Sequence, residues 1–325
     1  MRSLLPILFS VLLLTALGCW RGGAPSTPSL PSIQHRSSDP ARVEAPGLHN
    51  VFRLADNLYS GSSPDDDEGF RSLRKLGVQT VVSVDGARPD LARARRFGLR
   101  YVHLPIGYDG VPQQQAMRIA KAVRDLPGPV YVHCHHGKHR GPAAAAVVHL
   151  CLDDKCAVEA AVAWLRQVGT DPRYTGLNAA PRQLRRPTAE ELDRVPADFP
   201  EVVEVSGLSA VMVGVDKHWE HLQVVRAAGW KTPPNHADLE PPHEALQLLE
   251  AFREAARLPG VADRTEEFRR WLADAEAGAG ELEQALRNRK GKEAVDGSTV
   301  EKAFRNVGMA CTRCHLKYRD VPQAP

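Results

Sequence analysis

Apolar positions in the first part of the chain fall in short runs that alternate with helical patterns. Runs over 51–54, 58–60, 80–84, 101–104 and 129–133 read as strands, and the patterns over 64–76, 89–97 and 113–126 read as helices. That alternation predicts an α/β domain with a parallel sheet and helices on both faces. Past Pro200 the pattern changes to helical stripes alone. Val205, Leu208, Met212, Val215, Trp219 and Leu222 recur at steps of three and four, as do Phe268, Trp271, Leu272, Ala275, Ala279, Leu282 and Leu286. A shorter helix over 242–257 stops before Pro259-Gly260, and a last helix starts with Ser298 or Thr299 as N-cap. Four antiparallel helices with short connections predict an all-α four-helix bundle after the α/β domain.

The first residues, Met1-Arg2-Ser3, precede an apolar run over 4–17 that is too short to span a bilayer and has the layout of a signal peptide, 1–19. Ala16-Leu17-Gly18-Cys19 resembles a bacterial lipoprotein cleavage site, which would make Cys19 the acylated N-terminus, and it also fits an ordinary small-x-small cleavage signal. Either reading exports the chain to the bacterial periplasm or cell envelope, lipid-anchored or soluble. A Pro/Ser-rich stretch, 20–47, reads as a disordered tether. The α/β domain occupies 48–185. The stretch from Arg186 to Pro200 is charged, carries three prolines and has no period, so 186–199 reads as a linker, and the helical domain fills 200–325.

Charge adds little. The chain has 325 residues with 42 Lys and Arg against 39 Asp and Glu and few aromatics, so no nucleic-acid footprint is expected. The six cysteines are more informative. Cys19 suits the anchor, while Cys134, Cys311 and Cys314 lie in motifs. Cys151 and Cys156 either pair in an oxidising compartment or serve as small buried hydrophobes.

The strand over 129–133 runs into Cys134-His135-His136-Gly137-Lys138-His139-Arg140, then Gly141-Pro142 and an alanine-rich helix. A loop between strand and helix that begins with Cys and ends with Arg suits a phosphate dianion. Its backbone N–H groups, from His135 through Gly137, Lys138 and His139, can form a nest, the helix points its positive end at the same spot, and Arg140 offers a planar fork. The same field favours a thiolate nucleophile at Cys134. Adjacent histidines on a tight loop do not easily converge on one ion. His135, His136 and His139 are therefore read as tuning the loop's charge or touching substrate.

This stretch resembles the cysteine-dependent protein phosphatases, closest to the dual-specificity type, over roughly 48–177. The resemblance implies Cys134 as nucleophile, Arg140 as phosphate clamp and an upstream aspartate as general acid. Asp109, just after a strand, is the candidate, with Asp85 at another strand end as the alternative. The family usually carries Ser or Thr after the arginine, where a hydroxyl helps the thiolate leave. Gly141 stands there, which implies slow breakdown of the phosphoenzyme. A phosphoprotein, a small phosphoester or a merely bound phosphate all remain open as the partner.

Near the end, Cys311-Thr312-Arg313-Cys314-His315 has the spacing for two thioether bonds to haem c, with His315 as proximal iron ligand. A zinc site would need two further ligands, and no second such cysteine pair exists. Phe304, Val307, Cys311, Cys314, His315 and Tyr318 share one helical face. The region over about 200–320 resembles the cytochrome c-prime family, which implies a haem inside the bundle with Arg319 near its edge. Met212 lies on the facing stripe, either as a distal iron ligand or as core filling. His218 and His221 sit off the stripe and read as solvated. The whole reads as an exported phosphatase fused to a haem domain for electron transfer or gas and redox sensing, with a redox partner or small gas at the iron. The rival reading is a haem sensor or electron carrier whose phosphatase-like domain only binds phosphate.

The motif makes a direct prediction. Chain matured in an export-competent host retains haem on a denaturing gel, visible by haem staining, and the double variant Cys311→Ala, Cys314→Ala loses the stain. A colourless wild-type band would end the haem reading.

Overall fold

The computed structural model describes residues 40–205, 207–290 and 297–320. The expected signal peptide, Cys19 and the first part of the tether lie outside them. The strands are β1 (Ala41–Arg42), β2 (Phe52–Ala55), β3 (Leu58–Gly61), β4 (Thr80–Ser83), β5 (Arg100–His103) and β6 (Val130–His133). With them come helices α1 (Asp67–Lys75), α2 (Leu91–Arg96), α3 (Gln113–Asp125), α4 (Arg140–Leu152), α5 (Val158–Val168), α6 (Thr175–Gln183) and α7 (Ala189–Arg194).

All six strands join one sheet in the order β1-β2-β3-β6-β4-β5. β3, β6, β4 and β5 are parallel neighbours. β1 and β2 pair antiparallel, as do β2 and β3. The sheet is therefore mixed where a parallel one was expected, because Asp56-Asn57 is too short to carry the chain back for a parallel pairing. Strand residues alternate between two cores. Val82, Val102, Val130 and Val132 face Ile119 of α3, the alanines of α4 and Trp164 and Leu165 of α5. Val81, Tyr101 and Tyr131 face Phe70 and Leu73 of α1 and Ala94 of α2. Burial on both faces explains why these strands read as unbroken apolar runs.

Two expected boundaries move. Residues 40–47 belong to the fold and not to the tether: β1 pairs with β2, Ala45 is buried, and Ser72 Oγ donates to the Pro46 carbonyl at 2.7 Å. The expected linker carries α7, started by a capping box in which Thr188 Oγ1 accepts from Glu191 N and Glu191 accepts from Thr188 N. Leu192 of α7 is buried in the core beside α3, and Arg124 reaches Asp193 at 2.8 Å. Beyond it, His103 N donates to the Pro200 carbonyl at 2.8 Å, so the chain stays bound to the sheet.

The C-terminal region is helical: α8 (Gly207–Ala227), α9 (Pro241–Arg257), a single turn α10 (Pro259–Ala262), α11 (Glu266–Lys290) and α12 (Gly297–Tyr318). Gly297 is already helical, so Ser298 and Thr299 lie inside the last helix and do not cap it. The long helices share a separate core containing Leu222, Leu248, Phe252, Leu272, Leu282, Phe304 and Val307. α8 and α12 run antiparallel, with Arg226 paired to Glu301 and the Trp219 ring against Gly308. Trp219 also stacks on Phe304 at 4.2 Å between centroids. That register carries Met212 to the level of His315. Among the described residues no helix is long and apolar enough to cross a membrane.

Leu58 is fully buried in the core between the sheet and α4. Leu58→Ala is expected to cost about 2–5 kcal/mol in urea unfolding. Met309→Ala, at an exposed position, should stay within about 0.5 kcal/mol.

Candidate active site

The phosphate loop is shaped by ties to its carbonyl groups. The His135 carbonyl accepts from Ser63 N at 2.9 Å, the His136 carbonyl from Asn50 Nδ2 at 2.8 Å, and the Lys138 carbonyl from Thr170 Oγ1 at 2.7 Å. With its carbonyls turned outward, the loop leaves N–H groups and the start of α4 for the concave side, an anion-binding arrangement. Gly137 permits the fold of the loop. Its φ is +67°, and a Cβ there would lie 2.3 Å from the Gly61 backbone at the end of β3.

Cys134 is buried at the start of this loop. Gly141, in the first turn of α4, passes directly against it. A Cβ at 141 would lie 2.8 Å from Cys134 N and 3.4 Å from its Sγ. The sequence shows only that Gly141 lacks a hydroxyl. The structure adds that a serine there would force the cysteine backbone to move.

Arg140 is held from below. Its Nη2 donates to Asp85 Oδ2 at 2.9 Å, and both side chains are largely buried. The same carboxylate accepts from His135 N at 2.7 Å and Ala87 N at 2.9 Å. Burial alone would raise the Asp85 carboxyl, but Arg140 and these two N–H groups hold it below the ordinary carboxylate range. Asp85 is thus committed as an ionised anchor, which removes it as the alternative proton donor. Arg140 Nε is buried with no hydrogen-bond partner in the structure. A phosphate oxygen would satisfy it.

Asp109 lies exposed on the loop between β5 and α3. The loop is pressed onto α6, where a Cβ at Gly176 would fall 1.7 Å from the Asp109 carbonyl oxygen. Its neighbour Tyr108 reaches the site: the Arg140 guanidinium sits 4.4 Å from the Tyr108 ring centre, and Arg319 lies 4.2 Å from the same ring. Burial pushes the Tyr108 hydroxyl up to about 12 against the pull of the two arginines. Arg319 Nη2 also donates to Tyr174 Oη at 3.3 Å. Arg319, expected beside a haem edge, reaches from the end of α12 to two tyrosines of the phosphatase domain. The approach of Tyr108, Tyr174 and Arg319 to one another escaped the sequence reading, since no spacing rule links positions so far apart.

The loop histidines divide. His139 packs on the Tyr174 ring at 4.5 Å and is pulled down to about 4 by burial and then by His136. His135 and His136 turn the other way and do converge, both bringing Nε2 to Glu220 of α8. A helix from outside the loop supplies the meeting point that loop geometry alone could not. His135 is raised to about 9, chiefly by its hydrogen bond to Glu220. His218 and His221 are not merely solvated either, since each bonds through Nδ1 to Glu244 Oε2, at 2.9 and 2.8 Å.

On α12, Phe304 and Val307 are buried while Cys311, Cys314, His315 and Tyr318 are half-buried, as one helical face requires. Cys311 and Cys314 are free thiols, and together with Met212 and Trp219 they pack against the helical core. Burial draws His315 down to about 3, so its imidazole is neutral and able to ligate a metal. Two free thiols and a neutral imidazole on one apolar face are the donor set a covalent haem needs, so these residues fit the group. Cys151 and Cys156 are also free thiols, and burial pushes Cys151 up to about 12.

No family model matches the chain. Over 156 residues it is 30% identical to the dual specificity protein phosphatase TpbA of Pseudomonas aeruginosa strain UCBPP-PA14, covering 46% of this chain and 69% of that protein. The TpbA of strain PAO1 is 29% identical over the same spans. A crystal structure of P. aeruginosa TpbA aligns with a TM-score of 0.40 at 25% identity, covering 46% of this chain and 94% of the other.

Removing the anchor of Arg140 should be costly. Asp85→Ala leaves a buried guanidinium without its counter-charge, an expected loss of about 3–5 kcal/mol in urea unfolding. A stability unchanged within about 1 kcal/mol would contradict the anchoring role.

Proposed function

The chain belongs to the dual specificity protein phosphatase family and is a cysteine-dependent phosphatase; on that premise we propose that Cys134, Arg140 and Asp109 carry the hydrolysis of a phosphate monoester. The observation that carries this reading is the buried Arg140, held to Asp85 on one side and left with an unpaired Nε on the other. In the first step Cys134 Sγ forms a bond to phosphorus as the ester P–O bond breaks, and Asp109 gives its proton to the departing oxygen. Arg140 and the loop N–H groups from His136 to Arg140 hold the phosphoryl oxygens while charge shifts between sulfur and oxygen. In the second step water attacks phosphorus, Asp109 takes its proton, and the S–P bond breaks to release phosphate and the thiolate. The substrate is a phosphoprotein or a small phosphoester.

The same chain is proposed to be an exported envelope protein, with Cys19 as a lipid attachment point, whose helical region carries haem c. Cys311 and Cys314 would hold the group covalently and His315 would ligate its iron, which would supply one-electron or gas-binding chemistry. Met212, which packs against the same helical core as Cys311 and Cys314, would either ligate the iron or fill the core. The packing of Arg319 on Tyr108 supports a reading in which both functions act together, since the residue that touches the phosphatase domain follows His315 by one helical turn.

Hydrolysis of p-nitrophenyl phosphate tests the catalytic assignment. Cys134→Ser should abolish turnover, and Asp109→Asn should lower kcat by roughly 10²- to 10⁴-fold. Stopped-flow traces of the wild type should show a burst of leaving group followed by a slower steady rate, because Gly141 offers no hydroxyl to help the thiolate depart. An Asp109→Asn enzyme with wild-type kcat would remove Asp109 from the mechanism.

A further inference from the structure

His135 and His136 open the phosphate loop, and Glu220 lies on α8, the first helix of the helical region. Glu220 Oε1 and Oε2 lie 2.8 and 2.7 Å from His135 Nε2, and Oε1 lies 3.1 Å from His136 Nε2. One ligand atom from each of the three residues falls within 4.8 Å of the others. All three side chains are partly open to solvent, His136 most of all. Asp216, one turn earlier on α8, interacts electrostatically with Glu220, His135 and His136 and adds a second carboxylate to the same face.

We propose that His135, His136 and Glu220 bind a zinc ion that clamps the phosphate loop to α8. Four donors around zinc at about 2.0–2.2 Å stand roughly 3.3 Å apart in a tetrahedron. The three groups already approach that spacing, so small rotations of side chains suffice. Two imidazoles and a carboxylate suit zinc, whereas calcium and magnesium prefer oxygen donors alone. On binding, the ion displaces the proton shared between His135 and Glu220 and leaves a fourth position for water or Asp216.

The location gives the ion leverage. His135 donates its backbone N–H to Asp85 Oδ2, the same oxygen that anchors Arg140. An ion that fixes the His135 side chain therefore acts one residue from Cys134 and through one carboxylate on the phosphate clamp. The neighbouring cluster of His218, His221 and Glu244 is less suited, since both imidazoles bond through Nδ1 to a single oxygen of a buried carboxylate. An ion there would have to displace that oxygen from both rings.

The test is calorimetric titration of the full mature chain with zinc chloride, all variants carrying Cys134→Ser so that the catalytic thiol contributes to none of them. Glu220→Gln and, separately, His136→Gln are expected to weaken one zinc site at least tenfold, while Glu244→Gln leaves that site intact. His136 is largely exposed, so its replacement leaves the fold undisturbed even if Glu220→Gln does not. Zinc affinity within twofold of the parent in both Glu220→Gln and His136→Gln overturns the proposal, as does loss of the site in Glu244→Gln alone.

Discussion

The buried pair of Asp85 and Arg140 is the interaction on which the site depends. A guanidinium at the start of a helix is placed close to a cysteine at the end of a strand, in surroundings with little water to solvate either. Such a charge is tolerable only with a counter-charge in hydrogen-bond contact. Asp85 meets that need from the end of β4, next to β6 in the sheet, and the same carboxylate binds the His135 backbone. One side chain thus fixes both ends of the phosphate loop relative to the parallel strands. The remaining ties, to Ser63, Asn50 and Thr170, turn the loop's carbonyls away from the ligand.

Glycine completes this arrangement at two points where backbones nearly touch. Gly137 lets the loop rest on the end of β3, and Gly141 lets α4 begin against Cys134. The second has a chemical consequence. The tight approach that brings the helix's positive end to the thiol is the reason a hydroxyl-bearing residue does not fit at 141 without movement. The start of α4 beside Cys134 and the absence of a side chain at 141 then share one structural cause.

The helical region is joined to the phosphatase domain by polar and aromatic contacts at the active-site side. Glu220 meets the loop histidines, and Arg319 covers Tyr108 while donating to Tyr174. Tyr108 therefore lies between Arg140 and Arg319, the residue that follows α12. A shift of the last turn of α12, which also carries His315, has a short path to the ring that packs on Arg140. Cation–π contacts of this kind are worth roughly 0.5–2 kcal/mol each, and here they tie the loop that carries Asp109 to both arginines.

Much of this was legible in the chain itself. The strand runs, the loop from Cys134 to Arg140 and the helical stripes are local patterns, set by the periods of strand and helix and by the chemistry of neighbouring residues. The capping box at Thr188 and Glu191 was also written there, but the three prolines around it concealed the helix. What sequence could not provide was pairing over distance. Asp85 and Asp109 both stand at strand ends, and only the tertiary fold buries one against Arg140 and leaves the other exposed. Adjacent histidines look unable to share a partner until α8 brings Glu220 to both. Local sequence determines which groups exist and which element carries them, because hydrogen bonding and side-chain period act over a few residues. Which groups become partners is decided by packing, because burial makes an unpaired charge too costly to leave alone.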